Sequence, residues 1–175
     1  MTGSGLRPRP WRGVAENVSE LLAEHWMLIT PGTPERWNTM TASWGGFGHL
    51  WNMDAAFVFV RPSRYSYGFI EREEGFTLSF FEEDRRAALE LCGSASGRDT
   101  DKARAAGITP RAFEAAEGRA RVAFEEARLV LSCRKVYAQD LDPGGFIDPG
   151  ISRHYPEGDV HRLFVGAIEG AWERA

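Results

Sequence analysis

Cysteine is scarce. The 175-residue chain has two, Cys92 and Cys133, far apart in sequence. Isolated thiols exclude a disulfide framework, a CxxC redox pair and a thiolate zinc site, and they suit a reducing, cytoplasmic compartment. Long apolar runs are lacking too. The longest, Ala55 to Val60, is far too short to cross a bilayer as a helix, so no membrane association is expected. Positive charge is not in excess: Lys and Arg number 21 against 25 Asp and Glu, a net charge of −4. That balance leaves no broad basic face for a nucleic-acid backbone, so no nucleic-acid partner is expected. His25, His49, His154 and His161 show no metal-ligand spacing, and no metal is expected. Familiar catalytic loops are missing as well. Gly93-Ser94-Ala95-Ser96-Gly97 puts Ala95 where a nucleophile elbow needs serine. No Walker-type loop occurs. Gly45-Gly46-Phe47-Gly48 lacks the third glycine and the following helix of a dinucleotide fingerprint.

Aromatic residues are plentiful: six Trp, eleven Phe and four Tyr. Such a set lines a flat pocket or fills a β-rich core. The length suits one domain, and a hydrophobic share of 43% is enough to bury a core without staples. Residues 1–12 carry three arginines and two prolines but no apolar stretch. They read as a flexible tail rather than a signal peptide, ahead of a single domain over 13–175.

Val14, Val18, Leu21, Leu22 and His25 share a face at helical spacing. Trp26 to Thr30 reads as a strand stopped by Pro31-Gly32, and Trp37 to Trp44 as another ended by Gly45-Gly46. Ala55 to Val60 is continuously apolar, as in a strand covered on both faces. Ser63 caps a short helix through Ile70, and Phe76 to Phe81 is a strand. Helices follow from Glu82 to Gly93 and from Asp99 to Gly107. Arg119 to Phe124 and Glu126 to Gln139 read as strands, Leu141 to Asp159 as a long loop, and Val160 to Trp172 as the closing strand. Strands joined mainly by turns favour a mostly β, antiparallel barrel with short helical insertions over a doubly wound sheet.

Four segments carry polar chemistry. Asn38 to Trp44 reads either as an exposed strand with wet hydroxyls or as an edge that approaches a planar polar ligand, with Gly45-Gly46 admitting its bulk. Arg61-Pro62-Ser63-Arg64 is either a solvated turn or an anion site at a strand-to-helix junction. The aromatics of Phe76 to Phe81 suit a core or a pocket wall. Cys92 to Arg98 is a flexible connection or a small-residue nest. Cys92 has no histidine near it in sequence and reads as a small buried residue.

Together these segments resemble the flavin reductase-like family of FMN-binding split-barrel flavoproteins, with most likeness to its flavoredoxin-like branch. The likeness runs through Asn38 to Gly45, Ala56 to Pro62, Phe76 to Phe81, Cys92 to Asp99 with Asp101-Lys102, and His161 to Gly166, in the family's order. It implies an antiparallel, Greek-key-like split β-barrel, a homodimer, and non-covalent FMN. Carried over by position, Thr41, Ala42, Ser43 and Trp44 would run along the ring and ribityl chain. Arg61, Ser63 and Arg64 would take the phosphate, and Ser79, Phe80 and Phe81 would line the pocket. Ser96, Gly97 and Lys102 would complete the phosphate side, and His161 would face the reactive side of the flavin as the candidate catalytic residue. The resemblance implies hydride transfer from NADH or NADPH to flavin, which needs no catalytic acid or base because the cofactor does the chemistry. Some members supply reduced flavin to a partner monooxygenase. Flavoredoxin-like members instead keep FMN and pass electrons to a protein partner. A non-enzymatic module that holds flavin or another planar ligand is the third reading.

Overall fold

A computed structural model describes residues 5–114 and 118–174. Its strands are β1 (Leu6–Arg9), β2 (Met27–Thr33), β3 (Arg36–Trp37), β4 (Met40–Ala42), β5 (Gly45–Leu50), β6 (Met53–Val60), β7 (Gly75–Phe80), β8 (Pro110–Glu114), β9 (Ala120–Phe124), β10 (Leu129–Asp140) and β11 (Arg162–Arg174). Four short helices are interleaved: α1 (Val18–Glu20), α2 (Tyr67–Arg72), α3 (Arg86–Ser94) and α4 (Lys102–Ala106). The main sheet is antiparallel in the order β3-β2-β7-β10-β11-β6-β5, with β4 paired to β2 and β1 to β11. β8 and β9 form a separate ribbon.

Alternation along the central strands divides the core in two. On β2, Met27 and Ile29 enter one cluster and Leu28 the other. On β10, Leu129, Leu131 and Cys133 join the first and Val130 the second. Successive strand side chains point to opposite faces, so a strand covered on both sides feeds two cores. Phe76, Phe80, Phe81, Phe124 and Phe164 are fully buried. Each contributes about 1.5–3 kcal/mol relative to exposure, so most of the aromatic excess serves the core. Irregular pairing at Ser132/Cys133 and Lys135/Tyr137 lets the long β10–β11 pair coil.

Several expectations are corrected. Residues 6–9 are not a free tail: β1 pairs with β11 from Leu6↔Arg174 to Arg9↔Ala171. The free outer edge of β11 supplies main-chain partners that local sequence does not reveal, and Pro8 is tolerated because β1 is an edge strand. Trp37 to Trp44 is not one strand. It breaks at Asn38 and Thr39, whose side chains turn inward to Ser66 and Thr30. Gly45-Gly46 does not end that region but opens β5, which forms a hairpin with β6. Trp51 and Asn52 at its tip both hold positive φ, 51° and 57°, as a tight primed turn requires. The first helix is only α1, continued by one π turn over Leu21–His25.

Candidate functional site

The site lies where β4, the end of β6, the end of α3 and the start of β11 converge. Pairing with β2 places β4, with Leu28 opposite Thr41. The Thr41 hydroxyl donates to the Leu89 carbonyl at 2.5 Å and ties β4 to α3. After β6 the chain turns at once, with Arg64 N–H donating to Arg61 O at 3.0 Å. That turn presents Arg61, Ser63 and Arg64 at the strand's end.

Two compartments result. The first, about 170 Å³, is lined by Thr41, Ala42, Ser43, Trp44, Phe59, Arg61 and His161. The second, about 100 Å³, is lined by Ser63, Tyr65, Ser66, Ser94, Ala95, Ser96 and Lys102. Met40 and Arg64 line both, so the two form one groove, aromatic and polar at one end, cationic and hydroxyl-rich at the other. Larger hollows exist elsewhere. One of about 420 Å³ is walled by Glu35, Glu73 and Glu74 beside Arg119 and Arg121, which disfavours an anionic ligand. Another, beside Trp11 and Phe47, is shallow, and its Arg12 is spent on Asp54.

The groove carries an excess positive field. Lys102 is 6% exposed, and its ammonium donates to the carbonyls of Thr39 and Cys92, both at 2.8 Å. Burial lowers its pKa, Cys92 opposes this, and the Arg64 charge adds to the lowering. Burial likewise depresses His161 to about 4, reinforced by Arg61 and Arg64 and opposed by Asp159. Beyond burial, Arg64 opposes protonation of Lys102, and Arg61 and Arg64 oppose protonation of His161, a cost that an incoming anion relieves.

Rather than forming a free loop, the 141–159 segment is docked on residues that line this groove. It is built on two 3₁₀ turns capped by the Asp142 and Asp148 carboxylates. Arg61 donates to the His154 carbonyl at 2.9 Å. Asp159 accepts from the Ser63 N–H at 3.3 Å and from its hydroxyl at 2.5 Å. The Tyr155 hydroxyl lies 2.9 Å from His161 Nδ1, and His154 meets Trp44 edge-on at 5.4 Å.

The structure thus brings together Thr41, Ala42, Ser43, Trp44, Arg61, Ser63, Arg64, Ser96, Lys102 and His161. It does not bring in Ser79, Phe80 or Phe81, which are sealed in the core because both faces of β7 are covered. Gly97 does not line the groove either. Its role is clearance: a Cβ there would lie 2.0 Å from Asn38 Oδ1, while Asn38 donates to Ser66 at 2.7 Å. Phe59 and Ser94 line the groove, and Tyr155 and Asp159 brace its lining residues; none of the four was carried over by position as a site residue. Phe59 had a signal in its place two residues before Arg61, and the last two in the length of the late loop. Among the described residues no cluster of three His, Cys, Asp or Glu could hold a metal ion, and no helix is long and apolar enough to cross a membrane.

A flavin mononucleotide is one ligand that this donor set fits. The cationic end offers Arg64, Lys102 and the Ser94 and Ser96 hydroxyls to a phosphate, and the other end offers Trp44, Phe59 and the β4 main chain to a flat polar ring. The fold agrees with solved flavoproteins. It is similar to the flavoredoxin of Desulfovibrio vulgaris (Miyazaki F), at 20% identity and TM-score 0.65 over 93% of this chain and 75% of that one. It is similar to an FMN-binding protein from Thermus thermophilus, at 21% identity and TM-score 0.64 over 96% and 80%. It is also similar to an NADH:FAD oxidoreductase from Streptomyces globisporus C-1027, at 17% and 0.58 over 85% and 75%. These likenesses define the class: a mostly antiparallel β protein of the FMN-binding split-barrel fold. The family model of the flavin reductase-like domain matches residues 21–175, and the chain belongs to that family. No curated protein sequence matches it.

Proposed function

We propose that this chain binds FMN in the groove and acts as an NAD(P)H-dependent flavin reductase, working as a cytoplasmic homodimer. The observation that carries the reading is the union of a cationic, hydroxyl-lined compartment with an aromatic, polar one through Met40 and Arg64. Membership of the flavin reductase-like family supplies the reaction class. The bound flavin supplies the hydride chemistry; the protein binds, orients and tunes it. Arg64 and Lys102, with Ser94 and Ser96, hold the phosphate. Thr41 to Trp44 run along the polar edge of the ring. Trp44 and His161, whose rings lie 5.2 Å apart, wall the end where nicotinamide docks. His161 stays uncharged at neutral pH, so it adds no positive charge where a hydride is delivered.

One observation favours a second reading. His154 and Tyr155 pack against Trp44 and His161 and narrow the approach to that end. A site so covered suits a flavoredoxin-like carrier that passes electrons to a protein partner. Visible absorption of the purified protein, loaded with FMN and then mixed anaerobically with NADH or NADPH, separates the two. Bleaching by either nucleotide supports the reductase and names the donor. Bleaching by dithionite alone shifts the function to electron transfer. A protein that takes up no FMN overturns both.

A further inference from the structure

We propose that Tyr155 is a positioning residue for His161: its hydroxyl donates to Nδ1 and holds the imidazole as the Nε2–H tautomer, leaving that N–H open to the groove. The functional part of this inference rests on the groove being the flavin site. The geometric part does not.

The pair is well placed. Tyr155 Oη and His161 Nδ1 are 2.9 Å apart. Their rings meet edge-on, with centroids 5.5 Å apart and planes at 75°. Tyr155 is itself held on two sides. Phe146 stacks on it at 5.7 Å and 14°, and the Arg61 guanidinium lies 5.3 Å from its ring centroid. The other imidazole nitrogen is free. His161 Nε2 makes no hydrogen bond among the described residues, yet it is not among the buried polar atoms sealed off without a partner. His161 lines the first compartment, so Nε2 is reached from the groove.

Charge fixes the two protonation states, and basicity the direction of the hydrogen bond. The groups facing the ring are Tyr155, Arg61, Arg64 and Asp159. The two arginines oppose protonation of the imidazole and Asp159 favours it, while burial keeps the phenol protonated. A neutral imidazole and a phenol can pair in two ways. If Nδ1–H donates, the phenol proton has no acceptor among the described residues. If Nδ1 accepts, the phenol proton is used and Nε2–H becomes a groove-facing donor. Each arrangement leaves one donor and one acceptor unpaired, but a phenol is the stronger hydrogen-bond donor and an imidazole nitrogen the better acceptor, so the second is favoured. A donor at Nε2 selects ligands that present a carbonyl oxygen or an unprotonated ring nitrogen, as flavin and nicotinamide edges do.

The test reads the tautomer directly. Long-range ¹⁵N–¹H spectra of labelled protein without flavin are recorded for wild type and Tyr155→Phe between about pH 5 and 8, with His161→Gln assigning the resonances. The wild type is expected to show neutral His161 with Nε2–H dominant. In Tyr155→Phe the Nδ1–H form should gain about fivefold relative to Nε2–H, the change expected from losing one hydrogen bond. His161 should also titrate at higher pH, because a donor to its neutral form is gone. A wild-type spectrum dominated by Nδ1–H overturns the proposal without any variant. An unchanged tautomer ratio in Tyr155→Phe overturns it too. The flavin reading is judged separately, by FMN uptake in the same wild-type sample. With FMN bound, NADH turnover per bound flavin in Tyr155→Phe should fall with little change in KM, and counting only flavin-loaded protein removes any contribution from loss of the fold.

Discussion

The Asp159 carboxylate grips Ser63 twice, accepting from its N–H and from its hydroxyl. Both are donors of the kind that a phosphate uses at a strand-to-helix turn, and Ser63 lines the cationic compartment. A carboxylate there holds the late segment down and also places a negative charge where a phosphate must enter. Asp159→Asn should therefore tighten FMN binding about threefold at low salt, and the gain should shrink as salt screens it. Fluorescence titration with FMN and with riboflavin, which lacks the phosphate, checks this. Equal gains for the two ligands would sink the electrostatic explanation.

Arg61 and Arg64 are not equivalent, although both stand at the same turn. Arg61 spends one N–H on the His154 carbonyl and stacks over Tyr155. Arg64 lines both compartments, with one N–H on the Gly93 carbonyl at 2.7 Å. Arg64→Ala should weaken FMN binding about tenfold or more, the scale of one charge-assisted phosphate contact. Arg61→Ala should cost less affinity and should chiefly loosen the late segment. Isothermal titration of both variants decides the ranking, and a larger loss in Arg61→Ala reverses it.

His161 makes stability depend on pH. Its pKa is about 4 in the folded protein against 6.5 for the free side chain, with burial as the main cause. Between those values the unfolded chain binds more protons, so stability rises with pH across this window and is lost as pH falls toward 4. After screening by solvent the contribution is on the order of 2 kcal/mol. Urea unfolding at about pH 7 and pH 4.5 should show wild type losing that much more stability than His161→Gln. Parallel losses in the two proteins would remove His161 from the account.

What could be read from sequence divides along physical lines. Thr41 to Trp44, Arg61, Arg64 and His161 sit at strand ends, where a local pattern and the family likeness already point to polar work. Ser79 misled because it was carried over by position from the family likeness, which does not report how β7 is covered in this chain. In the fold β7 lies between β2 and β10 and both its faces are covered. Thr77 satisfies its hydroxyl on the Val122 carbonyl, while Ser79 Oγ is buried without a partner. No local pattern records that covering. Lys102 was legible as a cation near the site, but not as a tie between Thr39 and Cys92, because both partners are carbonyls and carry no side-chain signal. Tyr155 and Asp159 meet the groove's lining residues only through the path of the late segment. Sequence marks that segment as long, not as docked.

The N-terminal strand offers a clean separation of stability from the site. β1 covers the outer edge of β11 between Ala171 and Arg174, Arg9 pairs with Glu173, and Leu6 packs on the second core cluster. His161 immediately precedes the opposite end of β11. At about 3.3 Å per residue the two ends are on the order of 30 Å apart. Deleting residues 1–9 should therefore destabilise the fold by about 1–3 kcal/mol and lower the melting temperature by several degrees. It should also bare a strand edge that promotes self-association. FMN affinity, measured well below the melting transition, should stay within about twofold of the full chain, because no groove residue touches β1. Thermal melts and an FMN titration on the truncated protein read both quantities. An unchanged melting temperature would mean that the β1–β11 pairing contributes nothing in solution. A lost FMN site with the fold intact would mean that the groove depends on the far end of β11 through a coupling that its local geometry does not contain.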